Sequence, residues 1–335
     1  MVDCRNVPQC LARYDVSGPP DIGAAPEQSR QARGIVLCTL SALSFSVLPF
    51  LANAAYGAGV DLAELLLIRF LFAATVLWLI VAVRRPARPR SRHVVLGLAL
   101  GGGCYAVQSA LYFAALPYNG PSLTTLLLYT FPAVVFVVSL GRNRDTASAA
   151  QVLALVLALG GVTAVLLGAG EGTLQPLGVM LGLATALAYS TYILIGDAVD
   201  PAVDRTLLGA LVCSGALVTY AVVNLASGGP TLSFDPAGWW WAGSLGLLST
   251  AFALTAFFAG MRLVGASRAS IVSCVEPVAT VLIGVSLFDD RLGAVQLVGA
   301  VGVVAAVVLL QWRSPIRDPQ IGGQGSAGHS PEGSG

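Results

Sequence analysis

The sequence predicts an all-α integral membrane protein with ten transmembrane helices, built as two inverted five-helix repeats around a central cavity. Three observations predict this. The 335 residues are 56% hydrophobic and only 10% charged, whereas a soluble domain carries about 25% charged residues. With so few charges the chain cannot cover itself in water. Between residues 34 and 313 the chain has room for ten apolar runs of about 20 residues, the length that crosses a hydrocarbon core. The last five of these runs echo the first five.

Residues 1–33 carry Pro, Gly, Asp, Glu and Arg with no apolar core of signal-peptide type, and read as a disordered cytoplasmic tail. The first repeat, 34–168, holds spans near 34–56, 62–83, 94–116, 121–140 and 149–168. Only Pro117, Tyr118, Asn119 and Gly120 divide the third span from the fourth, and Pro and Gly there favour a tight turn over one continuous helix. The second repeat, 174–313, holds spans near 176–196, 206–226, 237–260, 267–287 and 293–312. Trp239, Trp240 and Trp241 read as an interfacial belt at the outer end of the eighth span. Residues 314–335, ending GGQGSAGHSPEGSG, read as a second disordered cytoplasmic tail.

Loop arginines set the orientation, because cytoplasmic loops collect basic residues. A cytoplasmic N-terminus places sixteen of the eighteen arginines inside, among them Arg84, Arg85, Arg88, Arg90 and Arg92 between the second and third spans. Only Arg291 falls outside, and Arg69 lies within a helix. Both termini are expected in the cytoplasm, with the basic run 84–92 also meeting anionic membrane lipid.

The repeat is visible residue by residue. GIVLCTLSALSFSV (34–47) aligns with GVMLGLATALAYST (178–191) at a shift of 144, and later spans align at 145. There Gly120 meets Gly265, Ser122 meets Ser267, Pro132 meets Pro277, Asp145 meets Asp290 and Gln151 meets Gln296. An odd number of spans per copy forces the second copy to enter the membrane in the opposite sense. Many secondary transporters are built this way, since two inverted halves open a midplane site alternately to each side.

Composition also excludes classes. A net charge of +1 argues against a nucleic-acid partner. Every basic residue is Arg, which points to a GC-rich bacterial source and so to its cytoplasmic (inner) membrane. The six cysteines form no CxxC pair or Cys/His cluster, so no disulfide framework or metal site is indicated. No GxxxxGK[ST] occurs, so transport is secondary or passive. No cofactor is indicated, and no buried His or Ser/His pair supports an enzyme.

On these grounds the sequence resembles the drug/metabolite transporter superfamily, in its EamA-domain branch, over nearly all of 34–313. Three features carry the resemblance: the Arg in ELLLIRFLFAA (64–74), the Pro in LLYTFPAVV (127–135) and SCVEPVATVL (273–282), and the acid-plus-Gln opening of the fifth helix of each copy, as in DDRLGAVQLVGAVG (289–302). Asp290 and Asp145 stand where the family usually has Glu; an N-capping carboxylate is kept. The resemblance implies a central cavity with the fifth and tenth helices peripheral, a small-molecule substrate drawn from amino acids, related metabolites or drug-like compounds, and efflux. The alternatives are a non-transporting structural or assembly protein and, below it, a membrane-embedded enzyme.

The residues that stand out are polar ones in apolar helices. Arg69 sits about 12 Å along its helix from Asp61. An Arg near the bilayer centre costs roughly 2.5–3.5 kcal/mol to insert. It reads either as a counter-charge for an anionic or zwitterionic substrate or as a fixed structural partner. Glu276 is the one acid read as deep in a span, at a similar depth; pairing with Arg69 and coupling to protons are both open for it. Pro132 and Pro277 withhold a backbone N–H at equivalent places and are expected to kink their helices. Helical phase puts Ser122, Thr125, Tyr129 and Pro132 on one arc, and Ser267, Ser270, Cys274 and Pro277 on the equivalent arc. Tyr105, Gln108 and Tyr112 share a face of the third span, and Thr185, Tyr189 and Tyr192 a face of the sixth. Polar stripes on four apolar helices point to one lined cavity, although each residue alone also suits interhelical packing. Gly160, Gly161, Gly299 and Gly302 permit close helix contact, which leaves a homodimer open.

Overall fold

The computed structural model describes residues 24–141, 149–168, 175–196, 199, 203–264, 269, 272–273, 275–287 and 293–313. Among them all regular structure is helical. Two tail segments (1–23 and 314–335), Arg142, Arg144, Asp145, Asp197, Ser267, Ser270, Cys274, Asp290 and Arg291 lie outside the described residues.

The first span is two helices, α1 (Ala24–Ser46) and α2 (Leu48–Gly57). Pro49 opens α2, where its missing N–H does least harm, and Val47 takes the break. Helix α1 starts ten residues earlier than the tail reading of 1–33 expected. Ala24, Ala25, Glu27, Gln28 and Ala32 are strong helix formers, and the helix extends through them. The second span, α3 (Leu62–Arg84), is capped by Asp61, whose carboxylate accepts from the Glu64 N–H at 2.9 Å.

The third span comprises α4 (Ser91–Ala99), a π-helical turn at Leu100–Tyr105, and the first part of α5 (Ala106–Leu128). From Ser91 to Leu128 the helical run is 38 residues long. A straight helix of that length spans about 57 Å, against a hydrocarbon core of about 30 Å. Gly120 resolves the conflict with φ 70° and ψ 171°, a conformation that favours glycine. Pro121 begins the next helix, and the chain turns where the sequence predicts. The fourth span breaks again at Tyr129–Thr130 before α6 (Phe131–Gly141), with Pro132 in the first turn; α7 (Ala149–Gly168) follows.

The second copy runs α8 (Pro176–Gly196), α9 (Arg205–Ala226), α10 (Ala237–Gly246), a π-helical turn at Leu247–Phe252, α11 (Ala253–Val264), α12 (Val275–Leu287) and α13 (Ala294–Arg313). Asp204 caps α9 through the N–H groups of Thr206 and Leu207, as Asp61 caps α3. Pro277 stands in the first turn of α12. Six helical runs among the described residues are long and apolar enough to cross a membrane, and shorter apolar helices lie at Val275–Ser286 and Ala294–Ala306. Their outward faces are apolar too: Leu79, Val83, Leu225 and Val298 are all more than half exposed, as lipid contact requires.

The two copies interlock. Helix α1 packs on α11 and α5 on α8, a pair of contacts related by the repeat; α3 packs on α9 and α7 on α13. Glycines hold the equivalent crossings. A Cβ at Gly34 would run into Leu263 and Val264, and one at Gly178 into Tyr118 and Asn119. Gly101 lies against the Val212 backbone, and its equivalent, Gly246, against the Arg69 carbonyl.

The glycines read as a route to a homodimer are used inside the chain. A Cβ at Gly161 would lie 2.7 Å from the Gly299 carbonyl oxygen and 2.8 Å from the Val303 nitrogen, and one at Gly302 3.4 Å from Gly161 Cα. Helices α7 and α13 need that closeness to pack on each other. Gly160 has nothing within 4 Å of an added Cβ.

Candidate functional site

Arg69 lies at the crossing of the two copies. Its side chain is 3% exposed. The Nε–H donates to Thr250 Oγ1 at 3.0 Å and an Nη2–H to the Tyr105 hydroxyl at 3.4 Å. Thr250 and Tyr105 are equivalent positions under the shift of 145, each in the π-helical turn of its own copy. The guanidinium carbon lies 5.0 Å from the centroids of both Phe70 and Phe113, within cation–π range. A guanidinium has five N–H donors; among the described residues these bonds use two of them. No ion pair joins Arg69 to a carboxylate among the described residues. The sequence left pairing with Glu276 open, and the pair is not formed.

From Arg69 an unbroken aromatic path leads to Glu276. Tyr105 lies 5.2 Å from Tyr192, Tyr192 stacks on Tyr189 at 5.9 Å, Tyr189 meets Phe131 edge-on at 4.8 Å, and Phe131 lies 5.9 Å from Tyr129. Tyr129 hydrogen-bonds the Glu276 carboxyl. On the other side Phe70 stacks on Tyr220 at 5.8 Å and 6°. The Tyr220 hydroxyl is spent on the Ala106 carbonyl at 2.6 Å, which fixes that wall. Tyr112 and Thr125 share a hydrogen bond of 3.0 Å between the third and fourth spans, and Gln108 is buried on the same face as Tyr105 and Tyr112.

Of the residues singled out in the sequence, Arg69, Tyr105, Tyr112, Tyr129, Tyr189, Tyr192 and Glu276 come together around this path. Thr185 does not open onto it through its hydroxyl. It is fully buried, and its Oγ1–H donates to the Leu181 carbonyl one turn back at 2.8 Å. Ser270 lies outside the described residues. Sequence reasoning missed Thr250, Phe70, Phe113 and Tyr220. The repeat register itself pointed to Thr250, as the equivalent of Tyr105.

A second buried acid was also missed. Glu64, in the first turn of α3, is 3% exposed. It accepts from the Thr231 N–H at 2.8 Å, the Thr231 hydroxyl at 3.0 Å and the Leu232 N–H at 3.0 Å. Leu232 adopts φ 48°, unusual for a branched side chain; the carboxylate holds the loop before α10 in that form. The Asp235 N–H donates to the Ala58 carbonyl at 3.0 Å, a second tie from the same loop to the end of the first span.

A cavity of about 540 Å³ lies at one end of the bundle, lined by Asn53, Tyr56, Leu62, Phe113, Ala114, Pro117, Tyr118 and Leu181.

Comparison with known proteins agrees with this architecture. The model of the EamA-like transporter family matches residues 32–167 and again 176–312. YcbK of Bacillus subtilis (strain 168), described as an uncharacterized transporter, is 25% identical over 307 residues, covering 86% of this chain and 97% of its own length. An uncharacterized transporter of Archaeoglobus fulgidus is 28% identical over 228 residues, or 67% of this chain and 78% of that one. A solved crystal structure of 19% sequence identity superposes with a TM-score of 0.62 over 83% of this chain and 97% of the other, a likeness of fold. The chain belongs to the EamA-like transporter family.

Proposed function

We propose that this member of the EamA-like transporter family exports a small, carboxylate-bearing metabolite, such as an amino acid or a related compound, by secondary or passive transport. In this reading the chain makes ten spans in a bacterial cytoplasmic membrane with both termini inside, and each copy supplies five. The observation that carries it is Arg69. A buried guanidinium with three N–H groups to spare and no carboxylate partner among the described residues is a costly feature in a membrane, and an anionic group is what offsets it. The aromatic walls of Phe70, Phe113, Tyr105 and Tyr192 provide an apolar seat beside that charge. This combination of convergent polar groups within an apolar lining is how small-molecule sites are built. Among the described residues no His/Cys/Asp/Glu group has a metal-binding arrangement, and the family and relatives are transporters.

The test is comparative metabolite profiling of medium and cells. One host expresses the intact protein and a matched one expresses the Arg69→Ala, Glu276→Gln variant at equal membrane levels. A carboxylate-bearing compound enriched in the medium only with the intact protein is the expected result. Depletion from the medium makes the protein an importer. No difference across a broad panel removes the transport reading and favours a structural role.

A further inference from the structure

The cavity and the Arg69 site share one residue. Phe113 lines the 540 Å³ cavity, and its ring centroid lies 5.0 Å from the Arg69 guanidinium. We propose that the cavity is the outer vestibule of the permeation path and that the Phe113 ring is the gate dividing it from the Arg69 site. This rests on the transport reading for its purpose, but its geometry stands apart from it.

Four helix ends converge on the vestibule: Asn53 and Tyr56 from the end of the first span, Leu62 from the start of the second, Pro117 from the end of the third and Leu181 near the start of the sixth. All four ends lie on one side of the membrane by simple alternation. Its volume is within the range of small-molecule sites, about 300–1,000 Å³. The floor is one aromatic ring, 1% exposed, held from beneath by the cation and edge-on by Tyr112 at 5.4 Å. The Tyr56 hydroxyl fixes the backbone of that ring by donating to the Phe113 carbonyl at 3.0 Å. Rotation of that one side chain opens the vestibule toward the Arg69 guanidinium, and an anion drawing the guanidinium away removes the contact that holds the ring down. Asn53 and Tyr56 give the vestibule polar groups for a substrate leaving the cation, with Leu62, Pro117 and Leu181 facing its apolar part.

A native thiol reports on the far side of the gate. Cys213 is 1% exposed and packs in one buried cluster with Phe70, Phe113 and Tyr220, with Tyr105 against it. In the full-length chain with the other five cysteines replaced by serine, a membrane-impermeant methanethiosulfonate is added to one face of oriented vesicles at a time. The Phe113→Ala change is expected to speed Cys213 labelling at least about tenfold from the vestibule face only, since labelling follows the opening of a protected site. Phe113→Leu, which keeps most of the bulk, is expected to stay near the unsubstituted rate. An unchanged rate in Phe113→Ala overturns the proposal, as does acceleration from both faces or equally in both variants. If Phe113→Ala fails to fold, Tyr56→Phe decides: freeing the Phe113 carbonyl is expected to raise the rate from the same face, and no rise overturns the gate. None of these readouts requires a substrate, so a protein that moves nothing and a protein without this gate give different results.

Discussion

Replacing Arg69 with Met separates a structural arginine from one that binds substrate, because Met keeps length and flexibility and removes the charge. The intact side chain costs roughly 2.5–3.5 kcal/mol to place near the bilayer centre. Its two interhelical hydrogen bonds, to Thr250 and Tyr105, return about 0.6–1.7 kcal/mol each, as such bonds do in membranes. Its two ring contacts, with Phe70 and Phe113, return about 0.5–2 kcal/mol each. The balance runs from about 1 kcal/mol against the arginine to about 5 kcal/mol in its favour, so Arg69→Met is expected to lower fold stability by no more than about 5 kcal/mol. The neighbours keep partners as well: the Thr250 hydroxyl still donates to the Leu245 carbonyl at 3.2 Å. A substrate carboxylate, by contrast, loses hydrogen bonds to a charged group worth about 1.5–3 kcal/mol, which is about 10–150-fold in affinity. Thermal unfolding of the purified protein measures the first quantity and substrate-dependent transport into vesicles the second. Arg69→Lys keeps the charge but not the planar fork and is expected to fall between the two. A Met variant that transports with unchanged affinity refutes the assignment, and one that no longer folds makes Arg69 a structural residue.

Three further changes test other parts of the account. Gly161→Leu is expected to lower the melting temperature, because the added atoms meet the Gly299 and Val303 backbone and overpacking costs about 1–3 kcal/mol; Gly160→Leu, facing open space, is expected to be neutral, and the reverse order contradicts packing of α7 on α13. Glu64→Ala removes the acceptor for Thr231 and Leu232 and is expected to raise amide hydrogen exchange at 230–233 while leaving α9 protected; unchanged exchange there means the carboxylate does not hold the loop. Glu276→Gln keeps a hydrogen-bond partner for Tyr129 but carries no exchangeable acid proton, so the pH dependence of transport is expected to flatten. Full, pH-dependent transport by that variant excludes proton coupling through Glu276.

Arg69, Glu276 and the tyrosine stripes were legible because a polar residue in an apolar helix is conspicuous against its background. The turn at Gly120 was legible for the same reason, since only Pro and Gly interrupt the run there. Thr185 shows the limit of the same logic: its hydroxyl satisfies itself on the Leu181 carbonyl one turn back, and a helical wheel does not distinguish that from facing a cavity. Thr250 stayed hidden because a lone Thr among Leu, Ser and Ala carries no such contrast. Phe70, Phe113 and Tyr220 act through ring placement, which depends on which helices meet, and apolar helices do not state their partners. The same gap explains Gly161 and Gly302, whose sequence shows that some backbone comes close but not whose. Neither π-helical turn was readable, as LGGGCY and LLSTAF share no pattern.

The repeat is kept in the frame and broken at the site. Gly34 and Gly178 hold equivalent crossings, Gly101 and Gly246 each lie against the second helix of the opposite copy, and Asp61 and Asp204 cap equivalent helices. At the centre the equivalences fail: Tyr105 answers to Thr250, Tyr189 to Phe45, and Phe131 to Glu276. A frame of two inverted copies exchanges conformations at little difference in energy, because each copy packs in the same manner. A site that was equally symmetric would offer an asymmetric molecule two equivalent poses and fix neither. Arg69 is contributed by one copy alone and bridges both through Tyr105 and Thr250. Under the proposed function it gives the substrate a single charged end while remaining attached to both copies, so that orientation of the substrate is assigned to the broken positions and access to either side to the kept ones.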